Sequence, residues 1–381
     1  MRIRLLTRSI LGSRLLFIGT SLGFIRKNCE RLGRLVLCIF LFSTFIAYAE
    51  TPSEIFKSMN GGDGWKVAST GLTYLSASSL AIDPFTPTTI YAATRSGIFK
   101  NMNRGDSWRG VNTGLTDLPV ASLAMDPFST IYARTWAGGI FKSMNGGDSW
   151  KEIGTALSDR DIQALAIDPF TPTTIYAGTW YGEIFKSTDG GDSWTEVGTG
   201  LIDFPVTSLA IDPVTPTTIY AGTWSWIFKS TDGGHSWSKV GTGLTYLSVD
   251  FLIIDPSAPR TIYAGIWSGG IFKSMNGGDS WNEVNTGLTD RHVYSLAIDP
   301  VTPSNIYAGT RYGGVFRSTN RGDGWKAVNS GLTDLRVFSL AIDPSSPATI
   351  YAGTQYGGVF RSADEGDSWT QVGTGLADLS G

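Results

Sequence analysis

The chain has 381 residues, 41% of them hydrophobic and 12% aromatic, and a formal charge of −3, so it is globular and can enclose a sizeable core. Its 47 glycines and 13 tryptophans favour a turn-rich, sheet-rich fold over a helical one, and no long segment after residue 50 keeps a helical period. Two cysteines are too few for a disulfide framework.

Residues 1–49 differ in kind from the rest. Eight basic residues precede or flank the apolar run LVLCIFLFSTFI, which ends in AYA before Glu50. Basic, then apolar, then small-x-small is the order of a secretory signal peptide cleaved after Ala49; the apolar stretch from Leu5 to Ile25 leaves a retained N-terminal anchor as the alternative. Cleavage would release a secreted, periplasmic or extracellular domain, 50–381, and retention would give a membrane-anchored one. The leader holds 8 of the 30 basic residues and one of the 33 acids, so the mature chain carries 22 basic and 32 acidic residues, a net of −10. That balance excludes nucleic acid as a partner and offers no polybasic patch for inserting the mature domain into a membrane. Cys29 and Cys38 both lie in the leader, so the mature domain has no thiol chemistry.

From residue 50 a repeat governs the sequence. Trp65, Trp108, Trp150, Trp194, Trp237, Trp281, Trp325 and Trp369 are separated by 43, 42, 44, 43, 44, 44 and 44 residues, the period of a four-stranded propeller blade. The unit from Thr195 to Trp237 supplies four short runs, TEVG, VTSLAI, TIYAGT and IFKST, between turns rich in Gly, Pro, Asp and Thr. In VTSLAI, strict alternation places Val206, Ser208 and Ala210 on one face and Leu209 and Ile211 on the other, as suits an inner strand covered on both sides. The predicted fold is all-β: a single seven-bladed propeller of four-stranded antiparallel blades. EIFKSMNGGDGWKV at the start is a spare hairpin, or else part of an incomplete blade in an eight-position ring. The Asp-Pro pairs, Asp212 among them, are turns between the first and second strands.

The turn before each tryptophan can be compared with its own copies. Its third position is Asp189, Asp232 and Asp364 in three copies and Asn in five, which excludes a site that requires negative charge and suits an oxygen that accepts backbone N–H groups. The fifth position is always Gly, as at Gly191, and the eighth is always Trp, as at Trp194, Trp237 and Trp369. His235 at the sixth position and the missing bidentate Glu exclude a calcium loop, so neither a metal nor another cofactor is expected. Ser187, Asp189, Gly191, Ser193 and Trp194 resemble the Asp-box, a repeat found on propeller hairpins between the third and fourth strands. The resemblance implies a structural box facing away from the ligand. Families that share it include sialidases, xyloglucanases, sortilin-type receptors and the photosystem II assembly and stability factors; the last is the nearest in size and repeat style. The sialidase Arg-Ile-Pro motif, the second propeller of a xyloglucanase and the cysteine-rich tail of a sortilin are absent here. Six arginines vary between units, Arg134 among them, and nothing selects three as a sialidase triad.

Function on a symmetric ring belongs where the copies differ. After YAGT the next residue is Arg95, Trp136, Trp180, Trp224, Trp267, Arg311 or Gln355, with Tyr181, Tyr312 and Tyr356 following. These loops are expected opposite the boxed turns, and Trp, Tyr and Arg together suit a protein hot spot or a sugar platform. In the inner strands the Thr207 position holds one acid, Asp250, and Glu183 is the one acid in the slot before the third strand; two carboxylates at a propeller mouth could cleave a glycoside. The sequence therefore reads as a monomeric, non-enzymatic scaffold for a protein or glycan ligand, with a glycoside hydrolase as the alternative.

Overall fold

A computed structural model describes residues 76–372, apart from 106–107, 117–118, 158, 199–200, 202–203 and 245–247, together with strands β1 (Phe56–Ser58) and β2 (Trp65–Val67). The leader, 1–49, and the turn of the first boxed copy lie outside the described residues. Seven four-stranded antiparallel sheets follow in chain order, at 77–110, 120–153, 162–197, 206–240, 249–283, 293–327 and 337–372. In blade 4 the strands are Val206–Ile211, Ile219–Thr223, Ile227–Ser230 and Ser238–Val240, each hydrogen-bonded to the next. The first strands of successive blades stand side by side around the axis, and that of blade 7 meets that of blade 1. All-β architecture and seven blades agree with the repeat count. β1 and β2 pair only with each other, Phe56 opposite Val67, which makes them the spare hairpin. Blade 7 needs no borrowed strand, so the ring closes at seven rather than eight.

Burial explains the repeat's composition. Seven apolar cores lie between blades rather than within them; between blades 4 and 5 Tyr220 and Ile227 pack with Val249, Ile262, Ala264 and Trp281. The second strand is buried on both faces, and its small residues admit the neighbour's large ones: a Cβ on Gly222 would lie 2.6 Å from Val249 Cγ1.

Strict alternation in the inner strand does not hold. Val206 faces Thr223 while Ser208 faces Gly222, so Thr207 is a bulged extra residue, and the side chains buried are Val206 and Leu209. The same register shift occurs in all seven blades, bulging Ser78, Ala121, Gln163, Thr207, Asp250, Tyr294 and Phe338. A period-2 reading cannot see a bulge, because one inserted residue moves every later side chain to the other face.

The boxed turn is built from its own side chains. Asp189 Oδ1 accepts from Ser187 Oγ (2.8 Å) and Ser193 N (2.9 Å), Oδ2 accepts from Ser193 Oγ (2.5 Å), and Ser187 Oγ accepts from Gly191 N (2.8 Å). These donors, the Ser193 hydroxyl first, hold Asp189 down at about 2. Asp232 and Asp364 make the same set with Ser236 and Ser368. In an Asn copy the direction of one bond reverses: Asn145 Nδ2 donates to Ser149 Oγ (2.8 Å) while Oδ1 still accepts Ser149 N. Either residue closes the turn, which explains the interchange.

The turn in turn carries the joint between blades. Its fourth residue has a left-handed backbone, φ +59° at Arg104 and +73° at Gly190, and its carbonyl points back to the preceding blade. There it accepts the third-strand cation: Lys100 to Gly146 (2.8 Å), Lys142 to Gly190 (3.0 Å), Lys186 to Gly233 (3.2 Å), Lys229 to Gly277 (3.0 Å), Lys273 to Arg321 (2.9 Å), Arg317 to Glu365 (3.0 Å) and Arg361 to Arg104 (3.1 Å). At five joints the buried second-strand tyrosine donates to the same oxygen, as Tyr220 does to Gly277 at 3.0 Å. Burial pushes Tyr220 and Tyr351 up to about 12, so the hydroxyl remains a donor. The tryptophans lie at the joints: Trp150, Trp325 and Trp369 donate Nε1 to Val111, Val284 and Val328 of the preceding blade, and Trp194, Trp237 and Trp281 to their own turns.

The closing joint is the least satisfied. Among the described residues four buried side-chain atoms have no partner, and three of them, Trp108 Nε1, Ser339 Oγ and Asp343 Oδ2, belong to blades 1 and 7. Elsewhere the equivalent Ser79, Ser208 and Ser295 accept an amide of the next blade, and Asp255 pairs with Arg321 at 2.6 Å.

The two turn glycines separate by cost. Gly190 occupies the left-handed position where other copies hold Arg or Glu, whereas Gly191 has φ +97° and a Cβ there would run into Ile153 of blade 2. Gly190→Ala is expected to lower unfolding free energy by about 1 kcal/mol and Gly191→Ala by about 3 kcal/mol. Equal shifts of the urea midpoint would contradict this account.

Candidate binding face

Two sets of connections emerge at opposite ends of the strands. In six blades the boxed turn is tied to the turn between the first and second strands, as Gly190 N to the Thr173 carbonyl at 2.8 Å. In five blades the loop between the second and third strands is tied to the residue entering the inner strand: Trp136 N to Pro119 O (3.0 Å), Trp180 N to Asp161 O (2.9 Å), Trp267 N to Ser248 O (3.0 Å), Arg311 N to His292 O (2.9 Å) and Gln355 N to Arg336 O (3.0 Å). The varied loops therefore share the end of the ring that the boxed turns do not.

On that end the loop aromatics are not core. Trp136, Trp180, Trp224 and Trp267 are 61%, 39%, 45% and 49% exposed, and Tyr181, Tyr312 and Tyr356 are also exposed. The structure brings some of them together. Trp180 and Trp224, on adjacent blades, meet edge to face with centroids 4.6 Å apart. Arg311 lies over Tyr312 at 5.0 Å and over Trp267 at 6.0 Å, holding the guanidinium against two rings. Arg95 stands exposed, with no partner among the described residues. Trp226 is instead partly buried against the blade 4 core, with Lys239 over its ring.

Residues distant in sequence become partners here. His292 is edge-on to Trp267 at 5.8 Å, and its Nε2 lies 2.8 Å from Ser268 Oγ. Asp290 frames the Tyr312 loop by accepting from His292 N (3.0 Å), Tyr312 N (2.6 Å) and Gly313 N (3.0 Å). Burial opposes its ionisation, yet these backbone donors outweigh it and lower its pKa. Asp334 repeats the device under Tyr356, and Arg336 stacks over that ring at 4.4 Å.

The seven bulges line the axis at this mouth unequally. Ser78 Oγ turns to the Val120 carbonyl (3.0 Å) and Thr207 Oγ1 to that of Val249, joining adjacent inner strands. Blades 6 and 7 place Tyr294 and Phe338 in edge contact at 5.0 Å. Neither ring stands out in a sequence rich in aromatics; the one signal is that the bulge position varies between copies. Asp250 occupies the blade 5 bulge, where burial raises its carboxyl to about 7. Glu183, in the blade 3 loop, is engaged otherwise: Arg160 Nη1 lies 2.5 Å from Oε1, and Thr179 donates to Oε2 at 3.2 Å. No hydrogen bond joins these two acids. Among the described residues no group of three or more His, Cys, Asp or Glu is gathered as a metal site, and no helix is long and apolar enough to cross a membrane.

No family profile and no curated protein matches the sequence. Solved structures do match the fold. A GH74 enzyme from Niastella koreensis has a TM-score of 0.66 and 21% identity, over 80% of this chain and 56% of that one. The GH74 xyloglucanase from Xanthomonas campestris has a TM-score of 0.66 and 17% identity, over 82% and 56%. YCF48 bound to a D1 peptide has a TM-score of 0.60 and 15% identity, over 81% and 94%. The chain thus spans little more than half the length of the GH74 enzymes and nearly the whole of YCF48. These likenesses show the fold alone, a propeller architecture that the GH74 enzymes and YCF48 share.

Asp250 gives a pH signature. Its folded pKa of about 7 lies above the ordinary 3.8, so the folded state holds a proton that the unfolded state releases, and stability falls as pH rises from 3.8 through 7. Asp250→Asn is expected to match the wild type near pH 4 and to exceed it at pH 8 by on the order of 3 kcal/mol. Parallel stability curves across that range would remove Asp250 from the account.

Proposed function

We propose that the protein is a non-enzymatic binding scaffold that recognises another protein through the face opposite the boxed turns. The observation that carries this reading is the exposure of Trp136, Trp180, Trp224 and Trp267 at one loop position of four successive blades. The fold does not require them, since blades 1, 6 and 7 place Arg95, Arg311 and Gln355 there. Large aromatics beside arginine are the side chains on which protein contacts concentrate their energy, and the similarly folded YCF48, whose structure holds a bound D1 peptide, supports this reading. The Ser187-to-Trp194 turns are then Asp-boxes, structural and remote from the ligand. Residues 1–49 direct the domain to the envelope or beyond, and the domain acts there as a monomer. Four Trp→Ala changes should leave the circular dichroism intact and weaken partner capture from envelope extracts by about 30-fold or more, since a single hot-spot tryptophan contributes about 2 kcal/mol. Undiminished capture would refute the face.

A glycan reading has its own support in Asp250, whose raised carboxyl suits a general acid, and in the GH74 relatives. Glu183 weakens it, because a carboxylate held by Arg160 is a poor nucleophile or base. Turnover of xyloglucan or a sialoside that Asp250→Asn abolishes would establish the hydrolase; none is expected.

Mature protein recovered from the host should begin at Glu50. An N-terminus at Met1 would show that the leader is retained as an anchor.

A further inference from the structure

One joint holds a cation where the repeat has none. The fourth residue of the second strand is Gly178, Gly222, Gly265, Gly309 and Gly353 in blades 3 to 7 and Ala93 in blade 1, but Arg134 in blade 2. The position normally stays small because the next inner strand presses on it; a Cβ on Gly309 would lie 2.7 Å from Val337 Cγ1. Blade 2 instead inserts a guanidinium. Its Nε donates to Ser122 Oγ (3.3 Å) and its Nη1 to the Ile162 carbonyl of blade 3 (3.1 Å). Nη2 has no partner among the described residues, and it is not among the atoms that the protein encloses unpaired.

Position and charge define what can reach that nitrogen. Ile162 begins the blade 3 inner strand, immediately before the bulged Gln163, and Arg134 lies two residues before Trp136, so the guanidinium sits at the axial mouth on the aromatic face. Asp161 is the nearby acid, but it forms no ion pair with Arg134, and its Oδ1 accepts Gln163 Nε2 at 2.7 Å. Burial pulls the guanidinium down to about 10, with Asp161 opposing. A desolvated cation without a close counter-charge is costly, and an incoming anion would offset that cost. A planar monoanion can take both Nη2 and the second N–H of Nη1. A phosphate dianion would bring extra charge towards Asp161 with no second cation to meet it, since Arg160 is committed to Glu183.

We propose that Arg134 is a ligand-binding residue that anchors a carboxylate group at the axial mouth between blades 2 and 3. The assignment can be scored with small molecules, independently of any macromolecular partner. The full chain is titrated calorimetrically with glucuronate, with a short neutral peptide bearing a free C-terminal carboxylate, with the same peptide amidated, and with inorganic phosphate. Saturable binding of glucuronate or of the peptide acid is expected, but not of the amide or of phosphate. Arg134→Gly, which installs the residue of five other blades, should weaken it by about 10-fold or more, the loss expected for a charge-assisted hydrogen bond. If the glycine variant fails to fold, Arg134→Gln, checked by circular dichroism, serves in its place. Binding of the peptide acid identifies a chain end as the source, and binding of glucuronate alone identifies a sugar acid. No saturable carboxylate binding, equal binding by a folded Arg134 variant, or a preference for phosphate would each overturn the assignment.

Discussion

The ring depends on one carbonyl oxygen, repeated seven times. The fourth residue of each boxed turn aims its carbonyl at the preceding blade, where a lysine or arginine always reaches it and a buried tyrosine does so at five joints. This bond crosses between sheets that share no backbone ladder, so it fixes the angle between blades in a way that apolar contact alone cannot. Everything invariant in the turn serves that aim. Asp or Asn closes the loop, the fifth residue must be glycine because of its backbone angle and its neighbour, and the tryptophan seals the joint. The turn is a fastener between blades, although its residues read locally as a hairpin device or an acid site.

Closure illustrates the same constraint at its weakest point. The blade 7 to blade 1 joint keeps the carbonyl bond, through Tyr351 and Arg361 to Arg104, but leaves Trp108 Nε1, Ser339 Oγ and Asp343 Oδ2 without partners among the described residues. Six other joints act as internal controls, and most of them satisfy the corresponding groups across the interface or within the turn. A covalently continuous chain joins blades 1 to 6 to their successors, whereas among the described residues this joint is held by non-covalent contacts, across Ala77, Trp108, Tyr351 and Val372. The spare hairpin β1–β2 precedes blade 1 in the chain and takes no part in any blade ladder.

The two ends of the ring divide structural and variable roles. One end carries the repeated turns and tolerates change only between residues that make the same bonds. The other carries loops whose second-to-third-strand residues vary, with indoles left in water, Arg311 held on aromatic faces and a bulge that turns one residue of each inner strand towards the axis. Its chemistry is uneven around the circle. Blade 5 contributes a half-buried acid, blades 6 and 7 a pair of aromatic rings, and blade 2 a guanidinium where the other blades keep glycine or alanine.

Period and composition were legible in the linear sequence: seven blades, a spare hairpin, the Asp–Asn interchange and the loops that vary, because each is a local pattern that recurs every 42 to 44 residues. The bulges were not legible, since the inserted residue resembles any other strand residue until its partner strand is in place. Nor were the joints. Tyr220 and Lys229 look like generic strand residues, and that both meet the Gly277 carbonyl follows only when the next blade is docked. His292 and Trp267, distant in the chain, become neighbours for the same reason. Sequence determined the repeating unit and its turns because those rest on contacts a few residues apart; the tertiary structure alone decided which surfaces meet, which charge is half-buried at Arg134 and which tryptophans stay in water, because those depend on contacts one whole blade away.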